Sequence, residues 1–139
     1  MIAFVPGLHH LMGLLHPTAP ARADDALRVD PDTLQHAREA IRRGEFDRAR
    51  AVLSDWDQTA QRDSRCLNVL GVLAVAAARW KEAKRLWQKA VRIDDCYEPP
   101  RRNLRRYYEL FQFGHSRVEL ALGDEPEFRA MGPEAEHVA

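Results

Sequence analysis

Apolar residues recur at helical spacing through the middle of the chain. Between residues 67 and 90 the pattern reads Leu67, Leu70-Gly71, Ala74, Trp80, Ala83, Trp87 and Ala90. Thirty-four residues upstream it returns in fainter form: Ala37 stands for Gly71, Ala40 for Ala74, Phe46 for Trp80, Ala49 for Ala83 and Leu53 for Trp87. A fixed period of 34 residues marks stacked helical hairpins, each a unit that cannot bury its apolar face alone.

The local signals divide this pattern into helices. Asp32 is expected to cap a helix over 33–43, which Gly44 closes. Further helices are expected over 47–56, 64–77, 81–93 and 100–112. Pro99-Pro100 can only begin a helix, and Gly114 stops the last one. From Val69 to Ala78 the chain is apolar apart from Gly71, so most of that helix's circumference should be buried. Gly71 lets a neighbouring helix come close, and Trp80 and Trp87 are expected to fill the remaining volume.

The flanks differ from this middle. Residues 1–29 read as an apolar N-terminal segment and linker. Leu8, Leu11, Met12 and Leu15 form an amphipathic stripe that Pro17 and Pro20 end. Residues 114–139 lack apolar periodicity and read as an acidic tail. The helical domain lies between, over 30–113. The reading is an all-α fold.

The residues Leu67, Leu70, Gly71, Ala74, Trp80, Ala83, Trp87 and Ala90 resemble the tetratricopeptide repeat signature. Ala74 stands where an aromatic is usual, and Asp95 stands where a proline normally closes the repeat. The earlier copy keeps Ala37, Ala40, Gly44, Phe46, Ala49 and Leu53 but lacks the Leu-Gly pair. The resemblance implies a short right-handed superhelix of about two helix-turn-helix repeats with a C-terminal capping helix. It also implies a groove lined by the first helix of each hairpin, where such proteins hold an extended segment or a helix. Carried over by register, the groove positions are Leu34, Arg38, Ile41 and Arg42, then Asn68, Val72, Val75 and Ala76, then Arg102, Arg106 and Leu110. That is an apolar floor with arginines at both ends, suited to an acidic, partly apolar peptide.

Charge sharpens this picture. The formal net charge is zero, so no whole-molecule steering toward nucleic acid or an anionic membrane is implied. The charge is nevertheless segregated, basic from Arg79 to Arg106 and acidic from Phe113 onward. Glu119, Asp124, Glu125, Glu127 and Phe128 give the tail the chemistry of a groove guest. Its composition favours a disordered acidic tail, with docking into the chain's own groove as the alternative.

Other chemistries find little support. Arg101-Arg102, Arg105-Arg106 and Tyr107-Tyr108 mix basic and aromatic residues, which leaves nucleic-acid binding by helix 100–112 as the alternative function. His9, His10 and His16 do not share a helix face, and no metal or cofactor is expected. No phosphate loop or nucleophile motif occurs, so an enzyme is not expected. Cys66 and Cys96 stand near the two ends of one hairpin. Separate thiols are expected, with a bridge as the alternative.

The expected function is protein-protein interaction, as an adaptor, assembly factor or accessory subunit of a larger complex. The stripe Leu8, Leu11, Met12 and Leu15 would meet a partner chain or a membrane surface. Residues 1–15 are apolar but too short to span a bilayer. A retained segment and a cytoplasmic protein are expected; the alternative is export, with residues 1–23 as an atypical signal or anchor.

Overall fold

The computed structural model describes residues 28–129. Among these residues seven helices follow in order: α1 Pro31–Arg42, α2 Phe46–Ser54, α3 Asp57–Ala60, α4 Ser64–Ala76, α5 Trp80–Ile93, α6 Glu98–Phe113 and α7 Pro126–Arg129. No strand occurs among the described residues, and the fold is all-α. The stripe Leu8, Leu11, Met12 and Leu15 lies outside them. No described helix is long and apolar enough to cross a membrane.

Each helix starts where its capping chemistry allows. The cap of α1 is Asp30 rather than the expected Asp32. Its carboxylate accepts from the Thr33 N–H and hydroxyl, both at 3.1 Å. Pro31 explains the shift, because its fixed φ suits the first helical position and its missing N–H leaves nothing to satisfy there. Asp32 then lies in the first turn, where its charge favours the positive end of the helix dipole. Asp63 caps α4 through Oδ1, which accepts from Arg65 N at 3.0 Å. Its other oxygen accepts from Val29 N at 2.7 Å, pinning the chain's entry into α1 against the start of α4.

The 34-residue relationship reaches into the connections. Gly44 and Ala78 occupy equivalent places, and both take left-handed conformations, at φ 76° and 59°. The bonds around them match as well. Glu45 N donates to Ala40 O at 2.8 Å, and Arg79 N donates to Ala74 O at 2.8 Å. The two hairpins, α1 with α2 and α4 with α5, therefore turn in the same way.

Small residues set the helix spacing. Ala37, Ala49, Ala83 and Ala90 are fully buried. Gly71 faces the Trp87 indole so closely that a Cβ there would lie 2.7 Å from Trp87 Cδ1. Trp87 is buried, and its Nε1 donates to Asn68 O at 3.2 Å. Trp80 departs from expectation. It opens α5 with 44% of its surface exposed, so Trp87 alone of the pair fills the core. Ile41 packs against both core clusters, one under α1 and α2 and one around Trp87.

The third first-helix, α6, packs on α5. Pro99 and Pro100 lie buried in its first turn, and Gly114 ends it in a left-handed conformation. The chain then does not leave the body. Residues 116–129 fold back across α6, α4 and α1, and Ala121 and Leu122 are buried. The tail expected to be disordered is, over these residues, the covering of a trough. Its sequence is polar overall, and what holds it is mostly its backbone.

Candidate functional site

The trough is lined by one face of α1, α4 and α6, and each helix sends polar side chains to the backbone crossing it. Arg106 on α6 donates to Val118 O, and Arg102 Nε donates to Glu119 O at 3.2 Å. Asn103 takes Ala121 from both sides. Its Nδ2 donates to the Ala121 carbonyl at 2.9 Å, and its Oδ1 accepts from the Ala121 N–H at 2.8 Å. Asn68 on α4 donates to the same carbonyl at 2.9 Å and accepts from Asn103 Nδ2 at 2.8 Å. Arg38 on α1 donates through Nε to Leu122 O at 3.0 Å. Asn68 and Asn103 are fully buried, and Arg38 nearly so. Buried polar groups are stable only when paired, and here the partner is a passing strand of extended chain.

Side chains of the segment add further contacts. Leu122 enters the core cluster of Val72, Ala74 and Trp87. Gly123 has φ 102°, where residues with a Cβ are strained, and the Tyr97 hydroxyl occupies the place a Cβ would take. Asp124 meets Arg42 with both carboxylate oxygens and accepts from Gln35 Nε2 at 3.0 Å. Glu125 turns back on its own chain, accepting from the Gly123 N–H at 3.1 Å and from the Leu122 N–H. At the far end Arg102 pairs with Glu127 and stacks over the Phe128 ring at 5.5 Å.

The electrostatics follow from these contacts. Burial alone would raise the Asp124 pKa, but the hydrogen bonds from Arg42 and Gln35 and the charges of Arg42 and Arg38 outweigh it, holding the carboxyl at about 2. The hydrogen bond to Asp124 in turn pushes the Arg42 guanidinium up. Burial pushes the Tyr97 phenol up, against the nearby charges of Arg38 and Arg65.

The expected groove residues divide in two. Arg38, Arg42, Asn68, Arg102 and Arg106 all touch the segment. Leu34 is buried in the core of the first hairpin, Ile41 packs against both core clusters, and Val72 shares its cluster with Leu122 of the segment. Val75 is half-buried against the second core cluster, Leu110 is half-buried near the end of α6, and Ala76 is exposed at the end of α4. The apolar floor is thus narrower than the register implied, and the arginines carry more of the trough.

Asn103, Gln35 and Tyr97 were missed. A shift of 34 residues carries both Gln35 and Asn103 onto Val69, a core position of α4. Projection from the strong repeat therefore hides them. A legible signal did exist in the tail: Val118, Leu120 and Leu122 alternate with Glu119 and Ala121, the period of an extended strand.

Outside the trough, Cys66 and Cys96 are separate thiols, one buried and one exposed. Burial pushes the Cys66 thiol up to about 12, which leaves it unreactive at neutral pH. Asp94, Asp95 and Cys96 offer ligand atoms within 4.8 Å of one another, all on the exposed surface. Comparison with protein-family models, with curated proteins and with solved structures gives no match to this chain.

Proposed function

We propose that this chain is a helical-repeat interaction module of the tetratricopeptide type. It holds an extended, acidic and partly apolar segment in the trough of α1, α4 and α6, and works as an adaptor, assembly factor or accessory subunit of a larger complex. One observation carries the reading: three buried side chains, Arg38, Asn68 and Asn103, spend their hydrogen bonds on the backbone of an extended chain. A packed core needs no such groups, whereas a peptide receptor does, because backbone N–H and C=O are what any extended guest presents. The exposed arginines Arg42 and Arg105 and the half-buried Arg102 and Arg106 add charge that favours an acidic guest.

Mass spectrometry of what co-purifies with the native chain tests this, repeated with Arg102→Glu and Arg106→Glu combined. A defined set of partner proteins that the charge reversal depletes is the expected result. Partners indifferent to the reversal would remove the trough from the function.

A further inference from the structure

We propose that the trough selects a partner protein's extended segment of the pattern apolar–x–Leu–small–Leu–Gly–Asp, and that residues 118–124 of this chain are a resident copy which that segment displaces. The inference rests on the reading of the trough as a peptide-binding groove and names its ligand.

The last four positions of the pattern each have a physical cause. The residue at Ala121 must be small, because it is only 1% exposed where Asn68 and Asn103 close on its backbone. The following Leu122 fills the pocket beside Trp87 and Val72. Glycine follows because the backbone at Gly123 is left-handed and the Tyr97 hydroxyl stands against it. Aspartate comes next because Arg42 and Gln35 present a fork of donors that a carboxylate accepts with both oxygens.

The resident segment has the properties of a replaceable ligand. Between Ser116 and Glu125 it forms no helix or strand. It buries two residues, Ala121 and Leu122, and much of its remaining hold is on backbone groups that any extended chain carries. Its Arg102–Glu127 pair is open to solvent at the glutamate, where such a pair contributes little, while the Arg42–Asp124 pair is one that the aspartate of a displacing segment re-forms. The connection to α6, Gly114 and His115, is exposed, as is the end of that helix from Phe111 to Phe113. The resident copy also leaves the trough incompletely satisfied. Tyr97 Oη and Arg106 Nε are buried without a hydrogen-bond partner among the described residues. A segment with further acceptors at those points gains what the resident lacks.

Tethering decides the competition. A segment joined by a short linker acts at an effective concentration of order mM, so it shields the trough from weak or mismatched guests while yielding to a better one. The test uses a fluorescent peptide of residues 116–129 and the full-length chain, read by anisotropy. The wild-type chain is expected to bind the peptide weakly. The chain bearing Gly123→Val, whose own segment no longer fits, is expected to bind it at least about tenfold more tightly. A peptide bearing Gly123→Val should bind neither, and Asn103→Ala added to the Gly123→Val chain should abolish the gain. Asp124→Arg in the full chain serves as a second way to evict the segment, with far-ultraviolet circular dichroism as the check on folding.

Four results overturn the proposal: a folded, evicted chain that ignores the peptide; equal binding of the Gly123→Val peptide; both variants unfolding, which makes the segment a structural strap; or a wild-type dimer that the peptide splits, which makes a second copy the occupant. The co-purification experiment reads the trough without reference to the pattern. Partners lost on charge reversal while the peptide fails would leave the groove standing and remove only this ligand.

Discussion

Asn103 holds Ala121 by both of its backbone polar groups, donating to the carbonyl at 2.9 Å and accepting from the N–H at 2.8 Å. Asn68 braces the arrangement by accepting from the Asn103 amide at 2.8 Å. Such pairing engages backbone groups that every residue but proline carries in full. The neighbours meet the features particular to this segment: the Leu122 side chain, the left-handed Gly123 and the Asp124 carboxylate.

Truncating this group should be costly. Asn103→Ala leaves the Ala121 N–H and Asn68 Oδ1 buried without partners, each worth roughly 1–3 kcal/mol. Chemical denaturation should show a loss of about 2–4 kcal/mol. Arg101→Ala, on the exposed face of the same helix, should change stability by less than about 0.5 kcal/mol.

The Gly71–Trp87 contact predicts a packing effect without any change of charge. A methyl group at Gly71 would press on the indole and disturb its bond to Asn68 O. Gly71→Ala should cost about 2 kcal/mol or more and shift the tryptophan emission to the red, since overpacking in a close helix contact forces backbone movement.

Ala78 is the strained counterpart of Gly44. A left-handed residue with a Cβ costs roughly 1–2 kcal/mol, while glycine's extra freedom in the unfolded chain returns about 0.5–1. Ala78→Gly should therefore stabilise the chain by about 0.5–1 kcal/mol in urea denaturation, and Gly44→Ala should destabilise it by a similar amount.

Acid should release the segment before it unfolds the helices. The Asp124 carboxyl sits at about 2 when docked, below its ordinary value of 3.8. A depressed folded pKa means that its contribution is fully present above about pH 4 and is lost as pH falls toward 2. Carboxyl chemical shifts in nuclear magnetic resonance should follow that window at Asp124, and Asp124→Asn should remove the acid step from tail docking.

The helices were legible because their signals are local. The run Val69–Ala78, the glycine at position 44 and the paired prolines each act within a turn of where they stand. The cap of α1 slipped by two residues because Asp30 and Asp32 both flank Pro31, and only the geometry of the first turn separates them. Trp80 misled because an aromatic opening a helix can cover its neighbour from outside as readily as fill the core. Arg38, Asn68, Arg102 and Arg106 were legible through the repeat register, which carries position but not contact. Asn103 and the docked segment were hidden for one reason. Their bonds span 18 residues and join a side chain to a backbone, and a backbone has no letter in the sequence.

Amide hydrogen exchange at Ala121 tests the central claim most directly, because that N–H has one partner, Asn103 Oδ1, and lies in no helix. If α1, α4 and α6 grip an extended chain, exchange at Ala121 in the wild-type protein is slow, and it rises to the rate of an open chain in Asn103→Ala while the α4 and α5 amides stay protected. Fast exchange at Ala121 in the wild type would contradict the account, for the segment would then not occupy the trough.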